Sequence, residues 1–182
     1  MSLTPAHPAG DAAPRPDVQP VQPPAGGAPV RRDYVAPGIV VHWAAERCIH
    51  TGRCIAAAPG VFDPKRRPWV DLSQADADAI ARAVERCPTG ALSYTRTDGA
   101  AAEPVPDLVT IRVGRDGPLA LHGRARVAGE RVGAIDGDRT ATGRFALCRC
   151  GRTQHPPFCD NSHQTLPRGW GAAADVPDGP PG

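Results

Sequence analysis

The chain has 182 residues and a formal net charge of +2, with 41% hydrophobic residues but only 4% aromatic. A balance this close to neutral gives no electrostatic case for nucleic acid as a partner, and no apolar run reaches membrane-spanning length. With 22 Pro, 20 Gly and few large side chains a core has little volume, and small domains of that kind are held together by disulfides or metals.

Residues 1–33 are mostly Ala, Pro, Gly and Gln, too poor in large apolar side chains to offset the entropy of ordering, and read as a disordered tail. No basic segment followed by an apolar stretch stands at the start. A cytoplasmic protein is therefore expected, where thiols stay reduced and cysteine clusters are metal sites more often than disulfides.

From 34 to 96 the pattern is that of a small α+β domain. Residues 38–43 form a β-rich run, and 91–95 form another that can pair with it. His42 alternates with Val41 and Trp43 and is expected to face away from the core. A short helical stretch over 53–58 is stopped by Pro59-Gly60. The clearest helix is predicted over 73–86, with Ser73 as cap, Asp76 completing a capping box, and Asp78 paired with Arg82. Ile80, Val84 and Cys87 share one face of it, so Cys87 should point inward where the helix ends at Pro88.

Three cysteines fall in this segment: Cys48, Cys54 and Cys87, the last followed by Pro88. Three thiolates suit a [3Fe–4S] cluster; the rival is a [4Fe–4S] cluster completed by His50 or by solvent. Buried structural cysteines are the plainer alternative. A Rieske centre is excluded, because its second Cys-x2-His would need a histidine where Gly90 stands.

Residues 97–107 return to the composition of the tail and read as a linker, reaching roughly 15 to 20 Å as a random coil. Over 108–171 the pattern alternates, with Val109, Ile111 and Val113, then Leu119 and Leu121, and turns at Arg115-Asp116-Gly117 and His122-Gly123. This half is predicted to be small and mostly β. A second disordered tail is expected over 172–182.

The second half carries Cys148, Cys150, Cys159 and His163, spaced C-x-C-x8-C-x3-H. Three thiolates and an imidazole so close in sequence make a complete four-ligand set for iron–sulfur or for zinc. Zinc sites seldom start with C-x-C, and an RNA-binding finger of CCCH type needs a further cysteine between Cys150 and Cys159. His155, beside Pro156-Pro157, is expected to face solvent.

The run from Cys148 to His163 resembles the signature of the CDGSH iron–sulfur family, C-x-C-x2-[ST]-x3-P-x-C-D-G-[SAT]-H. Every defined position matches except one: Asn161 stands where that family has glycine. Asn is the non-glycine residue that best tolerates a left-handed backbone, so the turn is expected to survive. The flanks Asp116-Gly117-Pro118-Leu119 and Leu166-Pro167-Arg168-Gly169-Trp170 are also similar to bacterial members. The resemblance implies a [2Fe–2S] cluster with Cys148 and Cys150 on one iron and Cys159 and His163 on the other.

In the first half, Cys48 to Cys54 with Cys87-Pro88, Val61-Phe62-Asp63 and Arg67-Pro68-Trp69-Val70 resemble a divergent single-cluster ferredoxin, with Thr51 where the usual second cysteine would be. The expectation is an α+β protein of two small metal-stapled domains, ferredoxin-like and then CDGSH-type, with disordered tails. It is read as an electron carrier rather than a catalyst, since no phosphate-cradling glycine loop, no serine–histidine–acid set and no nucleotide fingerprint is present. Its counterpart would be a redox partner protein. The alternatives are cluster storage, sensing or transfer to an apo iron–sulfur acceptor, and a zinc-stabilised interaction module.

Overall fold

A computed structural model describes residues 31–127 and 140–171. Residues 1–30 of the tail expected over 1–33, and the whole of that expected over 172–182, lie outside the described residues. Among the described residues the fold consists of two three-stranded antiparallel sheets, one in each half, in the order β1-β2-β3 and β4-β5-β6.

The first sheet joins β1 (Arg31–Ala36), β2 (Ile39–Ala44) and β3 (Leu92–Arg96). The predicted pairing of the second and third runs is present, with Val41 opposite Tyr94 and Trp43 opposite Leu92. Gly38, at φ +82, makes the tight turn between β1 and β2. β1 begins at Arg31, inside the segment read as tail, because β2 supplies a ladder for its backbone that composition does not reveal. Alternation puts Ile39 and Val41 in the core and His42 on the opposite face. There His42 bridges the sheet, its Nδ1 2.8 Å from Asp33 on β1 and its Nε2 2.9 Å from Thr95 on β3.

α1 (Arg53–Ala57) is the short helix expected before Pro59-Gly60. The main helix, α2 (Ala77–Glu85), starts four residues later than predicted. Asp76 is its cap, accepting from the Ala79 amide at 2.7 Å. Ser73 instead belongs to a preceding 3-10 turn, Leu72–Gln74, whose cap is Asp71. The Asp76 carboxylate, next to the first helical residue, reaches the free Ala79 amide that Ser73, three residues further back, does not serve. Asp78 does not pair with Arg82 but with Arg96 on β3, at 2.6 Å, so the charge ties helix to sheet. Ile80, Ala81, Ala83 and Val84 are buried against Phe62, Val61 and Leu92, and Cys87 follows them inward.

The second sheet joins β4 (Thr110–Val113), β5 (Leu119–His122) and β6 (Arg144–Leu147). Leu121, Phe145 and Phe158 form its small core, the two phenylalanines edge to face at 6.3 Å. Alternation in β4 is not matched by burial: Ile111 and Val113 remain 56% and 40% exposed on an edge strand.

The linker is not a free coil. Glu103 accepts from the Tyr94 amide at 2.9 Å and pairs with Arg144 of β6, and the Arg124 amide donates to Pro106 at 2.7 Å. Residues 97–107 are thereby pinned to both halves, and the random-coil reach does not apply. Glu103, the acid in the middle of its run of Ala and Pro, decides this.

Candidate metal centres

The loop of the second site is closed by β6 and the segment after it. Leu147 and Phe158 form a β-bridge, the Cys148 amide donates to Pro157 and the Cys159 amide to Ala146, both at 2.8 Å. Cys148 and Cys159 are thus brought side by side across the bridge. Inside the loop, Thr153 Oγ1 donates to the Phe158 carbonyl at 2.7 Å and accepts from the His155 amide at 3.1 Å. Asp160 accepts from the Gln154 amide and from the amide and hydroxyl of Ser162, which starts the 3-10 turn carrying His163. Burial acts upward on the Asp160 carboxyl, but these hydrogen bonds hold it down at about 2. Asn161 has φ +79, the left-handed backbone expected of it, and His155 is exposed.

The four donors come in two pairs. Cys148 Sγ and Cys150 Sγ are 3.6 Å apart, and Cys159 Sγ and His163 Nδ1 are 3.3 Å apart. Two thiolates on one tetrahedral metal with bonds of about 2.3 Å stand about 3.7 Å apart, and a thiolate with an imidazole slightly less. Four protein ligands shared by two irons place two on each. Among the described residues no three Cys, His, Asp or Glu side chains converge on one point as a single-ion site needs. The donors present fit a two-iron group.

Their protonation follows from the surroundings. At Cys148 burial acts upward, but the amides of Thr153, Gly151 and Cys150 and the Cys150 thiol outweigh it, and the thiol falls below its ordinary value. Burial dominates at Cys150 and Cys159, raising both against the amides of Arg152 and Asn161. Burial also lowers His163, with Asp160 opposing, which favours the neutral, ligating imidazole.

Arg149, between the first two cysteines, was not singled out from sequence, yet it anchors the site. It donates to the carbonyls of Gly117 at 3.0 Å and Gly114 at 2.9 Å, and its guanidinium lies 5.0 Å from the Trp170 ring centroid. Trp170 in turn stands 6.2 Å from the His163 ring. Asp116 accepts from the amides of Gly169 and Gly171. The two flanking motifs noted in the sequence are therefore one packed wall beside His163.

At the first site Cys48, Cys54, Cys87, His50 and Thr51 all line one cavity of about 320 Å³, whose apolar walls include Trp43, Ile55 and Trp69. Burial raises Cys48 against the His50 amide, and burial with the adjacent Cys87 thiol raises Cys54 to about 11. Metal binding must displace these protons, and the metal's charge then offsets the burial of thiolate. His50 sits at φ +53 with its Nδ1 3.8 Å from Cys48 Sγ. That spacing suits two donors on one metal atom, whereas a four-iron group takes one protein ligand per iron. His50 therefore needs another rotamer to reach a separate corner.

The two sites adjoin. Ile49, between Cys48 and His50, is buried with Ala146 and Cys159. A void of about 10 Å³, lined by Arg47, Thr89, Phe145, Ala146, Phe158 and Cys159, separates the halves there, room for about one water.

Residues 34–97 match the model of a divergent 4Fe-4S mono-cluster family, and residues 116–164 match that of the iron-binding zinc finger CDGSH type. The chain is also 32% identical over 63 residues to the uncharacterized protein YjdI of Escherichia coli K12, covering 35% of this chain and 83% of that protein, with the same figures for YjdI of strain O157:H7. This chain belongs to the divergent 4Fe-4S mono-cluster family. It carries a CDGSH-type domain behind that one, and it is an iron–sulfur protein of two small sheet-rich domains. No solved structure matches it. No helix of this iron–sulfur protein, among the described residues, is long and apolar enough to cross a membrane.

Proposed function

We propose that the protein is a two-centre electron carrier. The C-terminal centre is a [2Fe–2S] cluster with Cys148 and Cys150 on one iron and Cys159 and His163 on the other. The observation that carries this is the separation of the four donors into two pairs, at 3.6 and 3.3 Å. When bound, the cluster supplies one-electron chemistry. The residues hold it, keep the imidazole neutral and wall off its histidine with Trp170.

Cys48, Cys54 and Cys87 hold the N-terminal cluster. Its family description favours four irons over three, with His50 or solvent at the corner that Thr51 leaves without a thiolate. All six thiols are free, in keeping with a reducing compartment such as the cytoplasm, and a redox partner protein is the natural counterpart. Electron transfer is favoured over cluster donation because Cys159 is buried under Ile49 of the other domain, which hinders release.

Metal and acid-labile sulfide analysis of anaerobically purified protein, with EPR before and after dithionite, tests this. Iron and sulfide in amounts for two clusters, with signals that change on reduction, are expected. Stoichiometric zinc without sulfide overturns it. Loss of the cluster to an apo-ferredoxin would replace the carrier reading with cluster transfer.

A further inference from the structure

We propose that Arg144 is a positioning residue for the first centre, supplied by the domain that carries the second, so that the two ligand sets are held as one rigid unit. Arg144 is the first residue of β6, four positions before Cys148. Its side chain leaves its own sheet and enters the other domain, where it is 3% exposed. One guanidinium nitrogen donates to the carbonyls of Val84 at 2.6 Å and Cys87 at 2.8 Å, and the other donates to Leu92 at 2.9 Å and to Glu103.

These acceptors share a location. Val84 lies in the last turn of α2, the helix that delivers the Cys87 thiol, and its carbonyl also accepts from the Cys87 amide at 3.0 Å; Cys87 follows that helix, and Leu92 begins β3 on the far side of the Cys87-Pro88 turn. Carbonyls at a helix end need donors, and a cation suits that end of the helix dipole. Here a planar fork from another domain satisfies both needs and spans the turn, which a single ammonium cannot do. Glu103 compensates the buried charge and hydrogen-bonds the Tyr94 amide, so the strap closes the clamp from the third side.

Two further contacts fix the same interface. Gly90, at φ +62 within that turn, leaves no space for a side chain: an added Cβ would lie 2.9 Å from the Arg144 carbonyl and would overlap the Thr142 hydroxyl. On the other side Ile49 packs on Cys159. Each ligand loop is thus shaped partly by the opposite domain.

The inference rests on the cluster reading, and its test separates the two. In the full chain, Arg144→Met is combined with Glu103→Gln so that no unpaired carboxylate is left buried. Iron and sulfide content reports the cluster reading alone. With both clusters present, the first centre's EPR signal is expected to change in g values and linewidth although its ligands are untouched, while the second centre's own signal persists. Hydrogen exchange of the 87–94 amides needs no cluster and is expected to speed up about tenfold or more as the turn is released. Spectra and exchange that superimpose on the parent overturn the proposal. Should the double variant fail to fold, Arg144→Lys keeps the charge but not the fork; intermediate exchange with a shifted signal supports the clamp, and parental values on both overturn it.

Discussion

Ile49 and Cys159 lie 110 positions apart and are buried against one another, each at the heart of a different ligand loop. Ile49→Ala removes packing from both. It is expected to cost about 2–5 kcal/mol, as truncation of a buried isoleucine does. Denaturant-induced loss of the visible absorbance of the two centres should shift together to lower concentration. A shift confined to one centre would show that the loops are independent.

Gly90→Ala should be more disruptive than its single methyl suggests. The position combines φ +62 with backbone 2.9 Å from where the Cβ would sit, and strain of this kind costs on the order of 1–3 kcal/mol. Lower thermal stability and faster proteolysis within 97–107 are the expected readouts.

His163→Cys replaces a neutral ligand with a thiolate. A bound imidazole brings a titratable nitrogen to the iron, so electron gain can be coupled to proton uptake and the potential then varies with pH. In the variant a two-iron cluster should be retained at a potential lower by on the order of a hundred millivolts or more, with most of that pH dependence gone. A potential that still follows pH, measured by redox titration, would reject His163 as the protonating ligand.

Thr51→Cys places a thiol in the wall of the 320 Å³ cavity at the position without one. The EPR spectrum should move toward that of an ordinary four-cysteine, four-iron site. Its companion, His50→Ala, should abolish or destabilise the first cluster only if the imidazole leaves the Cys48 sulfur for a corner of its own.

Asp116 gives a pH prediction. Hydrogen bonds from the Gly169 and Gly171 amides, the former the larger, hold its carboxyl below the ordinary value. A carboxylate lowered in the folded state stabilises it fully above the unfolded value of about 3.9 and loses that contribution as pH falls through the lower folded value. Asp116→Asn should therefore flatten the acid limb of the stability curve in that range, and speed exchange of the Gly169 amide. An unchanged acid limb would remove Asp116 from the account.

The approach of Cys148 to Cys150 and of Cys159 to His163, and most strands, were readable because they are local: C-x-C spacing, alternation around Val41 and a helix ending at Cys-Pro each declare themselves within a few residues. Asn161 was legible for the same reason, a left-handed position needing a small polar residue. The cap of α2 was misread since Ser73 and Asp76 both suit the role, and only the 3-10 turn under Asp71 decides between them. Arg144, Glu103 and Arg149 were not foreseen. Apart from the Tyr94 amide, 9 positions from Glu103, the partners described for them lie 21 to 60 positions away, and a lone arginine before Phe145-Ala146-Leu147 gives no hint of which carbonyls it will meet. The oddity of a charge bordering an apolar strand was the available clue.

Glu103 has an inheritance attached to it. A segment composed like a spacer has become common property of both halves, with its carboxylate facing a guanidinium encoded 41 positions downstream. Cutting the gene within that segment and pairing either half with a new companion would strand one charge without the other. Any lineage that recombines these modules must carry acid and base across together or dispense with both.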